Sequence, residues 1–197
     1  MLCFNFPICA FAPHNRVGAS LEWISDLALA IGPPSMKPYS VLFICMGNIC
    51  RSPTAQGVLQ RKLHMWGCDT CVKVDSAGTH NYHPHSPPDQ RAQAHAAKRG
   101  YDLSGLLARQ ISDADFEVYD LILAMDRDNL ELLQDRCPPR HRVKLRQLTE
   151  FCQIQAADEV PDPYYGGGNG FERVLDLVED ACDGLVLHLQ EVLKARV

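Results

Sequence analysis

One short segment of the chain combines a cysteine, an arginine and a helix start in an order that suits nucleophilic attack on phosphorus. Residues 41–44 (VLFI) are an apolar run typical of a buried strand, and Cys45 follows directly. Arg51 stands six positions after the cysteine, and Ser52-Pro53 indicates a helix start, with the proline at the first helical position. The loop between strand and helix should therefore present backbone N–H groups to an anion.

The chemistry that these residue types support is phosphoryl transfer. The thiolate is the nucleophilic form of Cys45, and a helix N-terminus beside the Arg51 guanidinium stabilises that form. The guanidinium can also donate two hydrogen bonds to a phosphoryl group, since its planar fork matches two oxygens. Taken singly, these features also have ordinary explanations. A cysteine that ends a buried strand often only packs in the core, and Gly47-Asn48 could be a plain turn.

Motif spacing and composition exclude several classes of protein. A nucleotide-binding loop would need G-x-x-x-x-G-K-[ST], and no lysine or second glycine stands at that spacing. The net charge of −5 provides no basic patch, so we expect no nucleic-acid partner. No stretch has the length needed to span a bilayer, so we expect no membrane partner. With 46% hydrophobic and 22% charged residues, the chain is typical of a globular domain with one core.

The cysteines indicate a reducing compartment. There are nine of them, an odd number at irregular spacing, which argues against a disulfide framework and favours a cytoplasmic location. Cys68 and Cys71 have C-x-x-C spacing, but no second pair of cysteines or histidines completes a zinc set. We therefore expect no metal and no cofactor.

The cysteine–arginine segment resembles the signature of the low-molecular-weight protein tyrosine phosphatase family, C-x-x-x-x-x-R-S-P near the N-terminus. The family's second signature, near the far end, is matched by Asp162-Pro163-Tyr164-Tyr165. Three further matches follow the family's order: Ser76-Ala77-Gly78-Thr79, Pro88-Asp89-Gln90-Arg91 and Leu123-Ala124-Met125-Asp126. The likeness covers the chain from about residue 39 to the C-terminus. One departure is Gln56, where the family often has glutamate, and we expect it to affect the helix surface more than the chemistry.

The resemblance implies hydrolysis of protein tyrosine phosphate and other aryl phosphates through a phosphocysteine intermediate. Cys45 would attack phosphorus, while Arg51 and the loop N–H groups hold the phosphoryl oxygens. Asp162 would protonate the leaving phenolate and then deprotonate the attacking water, as microscopic reversibility requires. These three residues are the predicted catalytic set.

Other residues are predicted to bind the substrate or to support the loop. Ser52 can donate a hydrogen bond to the Cys45 sulfur, although it could instead cap the helix. By family likeness Asn48 holds the loop in a left-handed turn, with Ser76 behind it. The predicted substrate-binding residues are Met46, Gly47, Asn48, Ile49, Cys50, Ser52, Tyr164 and Tyr165.

Further expectations concern the rim of the site, Asp126 and Cys50. Apolar walls deep enough to admit an aromatic ring would come from Ile49, Tyr164 and Tyr165, with Tyr82 on a nearby loop, and we treat the histidines of that loop as a solvated rim. Asp126, at a helix start, is interpreted as structural. Cys50 resembles the second loop cysteine of many family members and is predicted to protect Cys45 against over-oxidation by forming a disulfide, although it could merely pack beneath the loop.

Two other functions remain open at this point. An arsenate reductase could use the same loop and fold, but it needs further cysteines after the second strand, and residues 79–99 contain none. A non-catalytic phosphotyrosine-binding module would be expected to have lost Cys45, Arg51 or Asp162, and all three are present. We expect a monomer acting on a tyrosine-phosphorylated protein, such as a bacterial tyrosine kinase.

Alternation of strand and helix patterns predicts the fold. We expect a single α/β domain, with a central four-stranded parallel sheet and helices on both faces, of the phosphotyrosine phosphatase I-like type. The predicted strands are residues 39–44, 72–75, 121–124 and 143–148, and the predicted helices are 54–66, 88–99, 126–133 and a long last helix after residues 166–169. This domain should span residues 37–197. Residues 1–36 have no secretory-signal pattern and are predicted to be an extension, either upstream of the true start or dispensable.

Overall fold

Strands and helices alternate along the chain in the computed structural model, which describes residues 37–164 and 168–196. The strands are β1 (Tyr39–Cys45), β2 (Val72–Gly78), β3 (Leu121–Ala124) and β4 (Leu145–Gln147). The α-helices are α1 (Arg51–Trp66), α2 (Gln90–Lys98), α3 (Asp113–Val118), α4 (Arg127–Arg136) and α5 (Gly168–Lys194). Two 3₁₀ helices, Pro139–Lys144 and Leu148–Phe151, flank β4. The predicted extension, residues 1–36, and Tyr165 lie outside the described residues.

The four strands form one parallel sheet in the order β2-β1-β3-β4. In register, Cys45 lies beside Gly78, and Ile44 lies beside Ala124. Because the carboxyl ends of parallel strands meet at one edge, the loops that follow β1, β2 and β3 are neighbours there. The predicted fold is confirmed, and the predicted nucleophile stands at the edge where such sheets bind their ligands.

The sheet is covered on both faces, which explains why every residue of β1 is buried. Phe43 packs toward α1 and α5 with residues such as Leu59 and Leu185. Ile44 packs on the opposite face with Phe116 and Leu133. Full burial of each such side chain stabilises the fold by roughly 1.5–3 kcal/mol, so β1 is an anchored base for the loop that follows it.

Helix α1 begins earlier than predicted. It starts at Arg51, with Cys50 as the preceding cap residue and no side-chain cap. Ser52 therefore lies inside the first turn and does not cap the helix, and Pro53 occupies the third helical position. The buried apolar side of α1 ends at Leu63, and Trp66 is 37% exposed.

Differences elsewhere have local causes. Strand β4 is shorter than predicted because the preceding residues 139–144 form a 3₁₀ helix that begins with a proline. Helix α3 was not predicted, yet Ser112 and Asp115 form a reciprocal capping box at its start. Helix α5 buries an apolar stripe that runs from Phe171 to Leu189. No helix among the residues that the structure describes combines the length and apolar character needed to cross a membrane.

Cys68 and Cys71 are joined by a disulfide bond. The odd number and irregular spacing of the cysteines argued against a disulfide framework, so this bond was not expected. Gly67 ends α1 with φ of 75°, and the Cys71 N–H then donates to the Cys68 carbonyl, which brings the two Cα atoms to 5.1 Å. The disulfide leaves neither sulfur free as a thiolate ligand for a metal.

Candidate active site

Residues 45–52, which we call the phosphate loop, wrap around the sulfur of Cys45. The Asn48 backbone N–H donates to Cys45 Sγ at 3.3 Å, and Ser52 Oγ lies 3.0 Å from the same sulfur. Cys45 itself is nearly buried, at the end of the central strand. A backbone N–H and a hydroxyl therefore converge on the sulfur and fix its position at the base of the loop.

Asn48 maintains the shape of the phosphate loop. Its φ of 56° places it in the left-handed region, which asparagine tolerates better than most residues. Its Nδ2 donates to both Ser52 Oγ and Ser76 Oγ at 2.9 Å, and its Oδ1 accepts from the Arg109 backbone N–H at 2.9 Å. Both amide hydrogens and the carbonyl oxygen of this buried side chain thus take part in fixing one turn.

Gln56 continues this network. It was expected to affect the helix surface more than the chemistry, but it does not lie on the surface. It is buried on the inner side of α1, and its Oε1 accepts a hydrogen bond of 2.7 Å from Ser76 Oγ. The hydroxyl of Ser76 therefore donates to Gln56 and accepts from Asn48. A polar chain runs from Gln56 through Ser76, Asn48 and Ser52 to the sulfur of Cys45.

Arg51 is held by backbone and carboxylate groups at the floor of the site. Its Nη1 donates to Asp126 and to the Val160 carbonyl, the latter at 3.1 Å, and its Nη2 donates to Asp162 Oδ2 at 3.0 Å. Burial opposes the charge of Arg51, but the Cys45 thiolate and two carboxylates outweigh it and raise the pKa of the guanidinium above its usual range. A permanently charged, oriented guanidinium therefore lies in the same site as Cys45.

Residues 160–164, which we call the acid loop, bring Asp162 over the phosphate loop. The Val160 N–H donates to the Met125 carbonyl at 2.7 Å, which ties the loop to the end of β3. Asp162 Oδ1 accepts from the Tyr164 backbone N–H at 3.0 Å. The side chain of Asp162 is 41% exposed, and it lines the cavity between the two loops.

The two loops enclose a cavity of about 410 Å³. This volume suits a small aromatic phosphate. The cavity is lined by Cys45, Met46, Gly47, Ile49, Cys50, Arg51, Tyr82, His83, Asp162 and Tyr164. Of the predicted site residues, Asn48, Ser52 and Ser76 are absent from this lining and support the loop from behind, as the contacts above describe. Tyr165 lies outside the described residues.

Sequence reasoning missed several residues of this site. His83, treated as part of a solvated rim, is half-buried and lines the cavity so closely that a Cβ on Gly47 would lie 3.3 Å from its ring. Gly78 is the neighbour of Cys45 in the sheet, and a Cβ there would lie 2.7 Å from the Met46 carbonyl oxygen. A glycine that ends a strand is a weak sign of such close backbone approach.

Two expectations are refined by the contacts. Asp126 caps α4 by accepting from the Asn129 N–H at 2.7 Å, and it also forms the ion pair with Arg51, so its structural role extends into the site. Cys50 is nearly buried beside Ala92 and Phe171. Burial, with the nearby Asp89 carboxylate, raises the pKa of Cys50 to about 12, so its thiol stays protonated at neutral pH.

Comparison with known proteins decides the family. The family model described as low molecular weight phosphotyrosine protein phosphatase matches residues 40–196. The chain belongs to this family. A low molecular weight protein-tyrosine-phosphatase of Streptomyces coelicolor is 39% identical over 161 residues, which is 80% of this chain and 98% of the relative. The human low molecular weight phosphotyrosine protein phosphatase is 37% identical over 144 residues, covering 73% of this chain and 90% of the relative.

Solved structures agree with this assignment. The crystal structure of a protein tyrosine phosphatase from Entamoeba histolytica, with Hepes in the active site, superposes with a TM-score of 0.76 at 41% identity. The superposition covers 78% of this chain and 97% of the Entamoeba histolytica chain. The predictions of family, fold and enzyme class are confirmed: this low molecular weight phosphatase hydrolyses protein tyrosine phosphate. Arsenate reduction and non-catalytic binding are not favoured.

Proposed function

We propose that Cys45, Arg51 and Asp162 carry out phosphotyrosine hydrolysis in the roles of nucleophile, oxyanion clamp and general acid–base. The observation that carries this proposal is convergence: all three residues line one cavity, and Arg51 contacts Asp162 directly. In the structure, Arg51 Nη2 donates to the Asp162 carboxylate. A bound phosphate dianion would accept the Nη2 hydrogen bond in place of Asp162, because two of its oxygens match the two parallel N–H groups of the guanidinium.

The first step transfers the phosphoryl group to sulfur. The Cys45 thiolate forms a bond to phosphorus as the bond to the phenolic oxygen breaks. The electron pair of the broken bond stays on that oxygen, which takes its proton from Asp162. Arg51 and the N–H groups of the phosphate loop, with Met46 to Ser52 as the binding segment, hold the equatorial oxygens.

The second step hydrolyses the phosphocysteine. Asp162, now ionised, removes a proton from water as the water oxygen bonds to phosphorus, and the sulfur leaves as a thiolate. Ser52 supports this departure. Because Asn48 Nδ2 already donates to the Ser52 oxygen, the single hydroxyl proton is left to point at Cys45 Sγ, 3.0 Å away, or at the Ala77 carbonyl, 3.3 Å away.

Specificity for aryl phosphates is proposed to arise from the cavity walls. Ile49, Tyr82 and Tyr164 line the cavity around the sulfur, and Tyr82 stacks on His80 with ring centroids 4.9 Å apart. The ring of a phosphorylated tyrosine is long enough to contact these apolar side chains while its phosphate reaches Cys45, whereas a shorter alkyl phosphate makes no such contacts. We propose a monomer that acts on a tyrosine-phosphorylated protein, such as a tyrosine kinase, in the cytoplasm.

The domain boundary is part of the proposal. Because the family model begins at residue 40, we propose that residues 37–197 carry the activity and that residues 1–36 are dispensable. A chain that starts at Met36 should keep the kcat/KM of the full chain, measured with p-nitrophenyl phosphate. A loss of activity on truncation would contradict this boundary.

The catalytic roles are tested with two variants. Cys45→Ser should abolish turnover of phosphotyrosine peptides while still binding vanadate, since the oxyanion cradle is unchanged. Asp162→Ala should lower kcat/KM on phosphotyrosine by about a hundredfold to ten-thousandfold, the range for loss of a general acid. Phosphopeptide turnover by Cys45→Ser, or a near-normal rate for Asp162→Ala, would refute the assigned role.

A further inference from the structure

The Arg91 guanidinium lies between two aromatic rings at the edge of the active site. Its Cζ is 5.2 Å from the centroid of the Tyr164 ring and 4.9 Å from that of the Phe171 ring. Its Nη1 donates to the Tyr164 carbonyl at 3.3 Å. Tyr164 belongs to the acid loop, Phe171 lies near the start of α5, and Arg91 lies in the first turn of α2. One side chain thus joins three segments that are distant in sequence.

Asp89 holds Arg91 in this position. Its Oδ1 accepts from the Arg91 backbone N–H at 2.8 Å and from Nε at 3.1 Å, and its Oδ2 accepts from Nη2 at 2.8 Å. The Asp89 N–H donates to the Ile49 carbonyl at 2.8 Å, inside the phosphate loop. The Asp89–Arg91 pair therefore links the loop that carries the nucleophile to the loop that carries Asp162.

The orientation of Asp162 depends on this link. Its carboxylate accepts from the Tyr164 N–H, so it follows any movement of Tyr164, the residue whose carbonyl and ring Arg91 contacts. On the other side, Pro163 is buried against Gly170, where an added Cβ would lie only 3.2 Å from the Pro163 Cα. The acid loop is thus held from both sides, by Arg91 and by the start of α5.

We propose that Arg91, held by Asp89, is a positioning residue that keeps Asp162 in place for proton donation to the leaving group. This inference rests on the proposed role of Asp162 as general acid. Arg91 touches neither the sulfur nor the phosphoryl group in this scheme. It acts through the acid loop. Its removal should therefore slow the reaction most for substrates whose leaving group must be protonated as it departs.

The need for a proton is set by the leaving group. A phenol with a high pKa must be protonated as it departs, whereas p-nitrophenolate leaves readily without help. Arg91→Ala should lower kcat/KM by about fivefold to thirtyfold for phenyl phosphate, and by less than about threefold for p-nitrophenyl phosphate. Arg91→Lys should behave similarly, because an ammonium keeps the charge beside Asp89 but lacks the planar surface that stacks on both rings.

The experiment measures kcat/KM across a series of phenyl phosphates with graded leaving-group pKa. The enzymes compared are the parent, Arg91→Ala, Arg91→Lys, Asp162→Ala and the Arg91→Ala/Asp162→Ala double variant. The matched control is Arg99→Ala, at the other end of α2, which loses ion pairs with Glu172 and Asp176 on α5. Among the described residues, Arg99 forms no ion pair with the acid loop. Thermal unfolding is recorded for each.

The expected result is a steeper dependence on leaving-group pKa in both Arg91 variants, with the parent slope kept in Arg99→Ala. The double variant should be no slower than Asp162→Ala alone, because Arg91 acts only by positioning Asp162, which both variants lack. An unchanged slope in both Arg91 variants, beside a steep slope in Asp162→Ala, would overturn this inference while leaving the proposed function intact. A parent-like slope in Asp162→Ala would overturn both.

Discussion

Gln56 Oε1 accepts a hydrogen bond of 2.7 Å from Ser76 Oγ, and this contact joins α1 to β2 behind the phosphate loop. Ser76 in turn accepts from Asn48 Nδ2 at 2.9 Å. The direction of the chain is defined because the Gln56 amide oxygen can only accept and Asn48 Nδ2 can only donate: the Ser76 proton points to Gln56, and its lone pair faces Asn48. The left-handed turn beside the sulfur therefore depends on a side chain in the second turn of α1.

Removing the Gln56 acceptor should destabilise the protein and its loop. In Gln56→Ala the Ser76 hydroxyl loses a buried partner, and we expect the free energy of unfolding to fall by about 1–3 kcal/mol. Denaturant unfolding measures this change. Gln60→Ala is the matched control, because Gln60 is exposed on the same helix, and it should stay within about 0.5 kcal/mol of the parent. Equal effects of the two substitutions would contradict a role for Gln56 in the network.

Replacing Arg51 by lysine should remove activity although the charge is kept. An ammonium cannot donate in parallel to two phosphoryl oxygens while also holding Asp126, so we expect kcat/KM to fall by about a hundredfold to a thousandfold. Steady-state kinetics with p-nitrophenyl phosphate measure the loss. Arg61→Lys, an exposed position on the same helix, should retain the parent rate. Near-parent activity of Arg51→Lys would show that charge alone suffices.

Ser52→Ala should slow the second chemical step more than the first. Without the hydroxyl the departing thiolate of Cys45 loses a hydrogen bond to a charged group, worth about 1.5–3 kcal/mol, or roughly tenfold to a hundredfold in rate. Rapid mixing with p-nitrophenyl phosphate should then show a burst of nitrophenol followed by slow turnover. Ser104→Ala, an exposed loop position, should behave as the parent. A slower burst with an unchanged steady-state rate would be the opposite of this expectation.

Oxidation of the site should be reversible through Cys50, and closure of the disulfide should depend on pH. Peroxide converts the Cys45 thiolate to a sulfenic acid, and attack by the Cys50 thiolate on that sulfur releases hydroxide and forms the Cys45–Cys50 disulfide. Because the pKa of Cys50 is raised to about 12, its thiolate fraction should increase about tenfold per pH unit between pH 6 and 9.

The measurement is the rate of disulfide formation after a brief peroxide pulse ended with catalase, followed by mass spectrometry and by recovery of activity with a thiol reductant. The closure rate should increase with pH in the parent. Cys50→Ser should recover poorly, whereas Cys137→Ser, buried on the other face of the sheet, should recover as the parent does. Full recovery of Cys50→Ser would show that Cys50 gives no protection.

The sequence alone determined the chemistry of the phosphate loop and the class of fold. Cys45, Arg51 and the helix start are contiguous, so local spacing suffices to indicate a thiolate beside an oxyanion cradle. The alternation of apolar strands and amphipathic helices likewise predicts a parallel sheet, because both patterns are properties of neighbouring residues. Asp162 was found only through resemblance, since nothing in its local sequence shows which loop it faces.

Tertiary structure alone decided what lies behind and beside that loop. Gln56, Asp126 and His83 reach the site from different segments, and their burial depends on how α1, α4 and the loop after β2 pack around the sheet. Arg91 reaches the acid loop in the same way. Such contacts join residues that are far apart in the chain, so neither hydrophobic periodicity nor motif spacing predicts them. The physical reason is that the carboxyl ends of parallel strands meet at one edge of the sheet. Loops that are distant in sequence are therefore neighbours there, and their polar side chains form hydrogen bonds with one another.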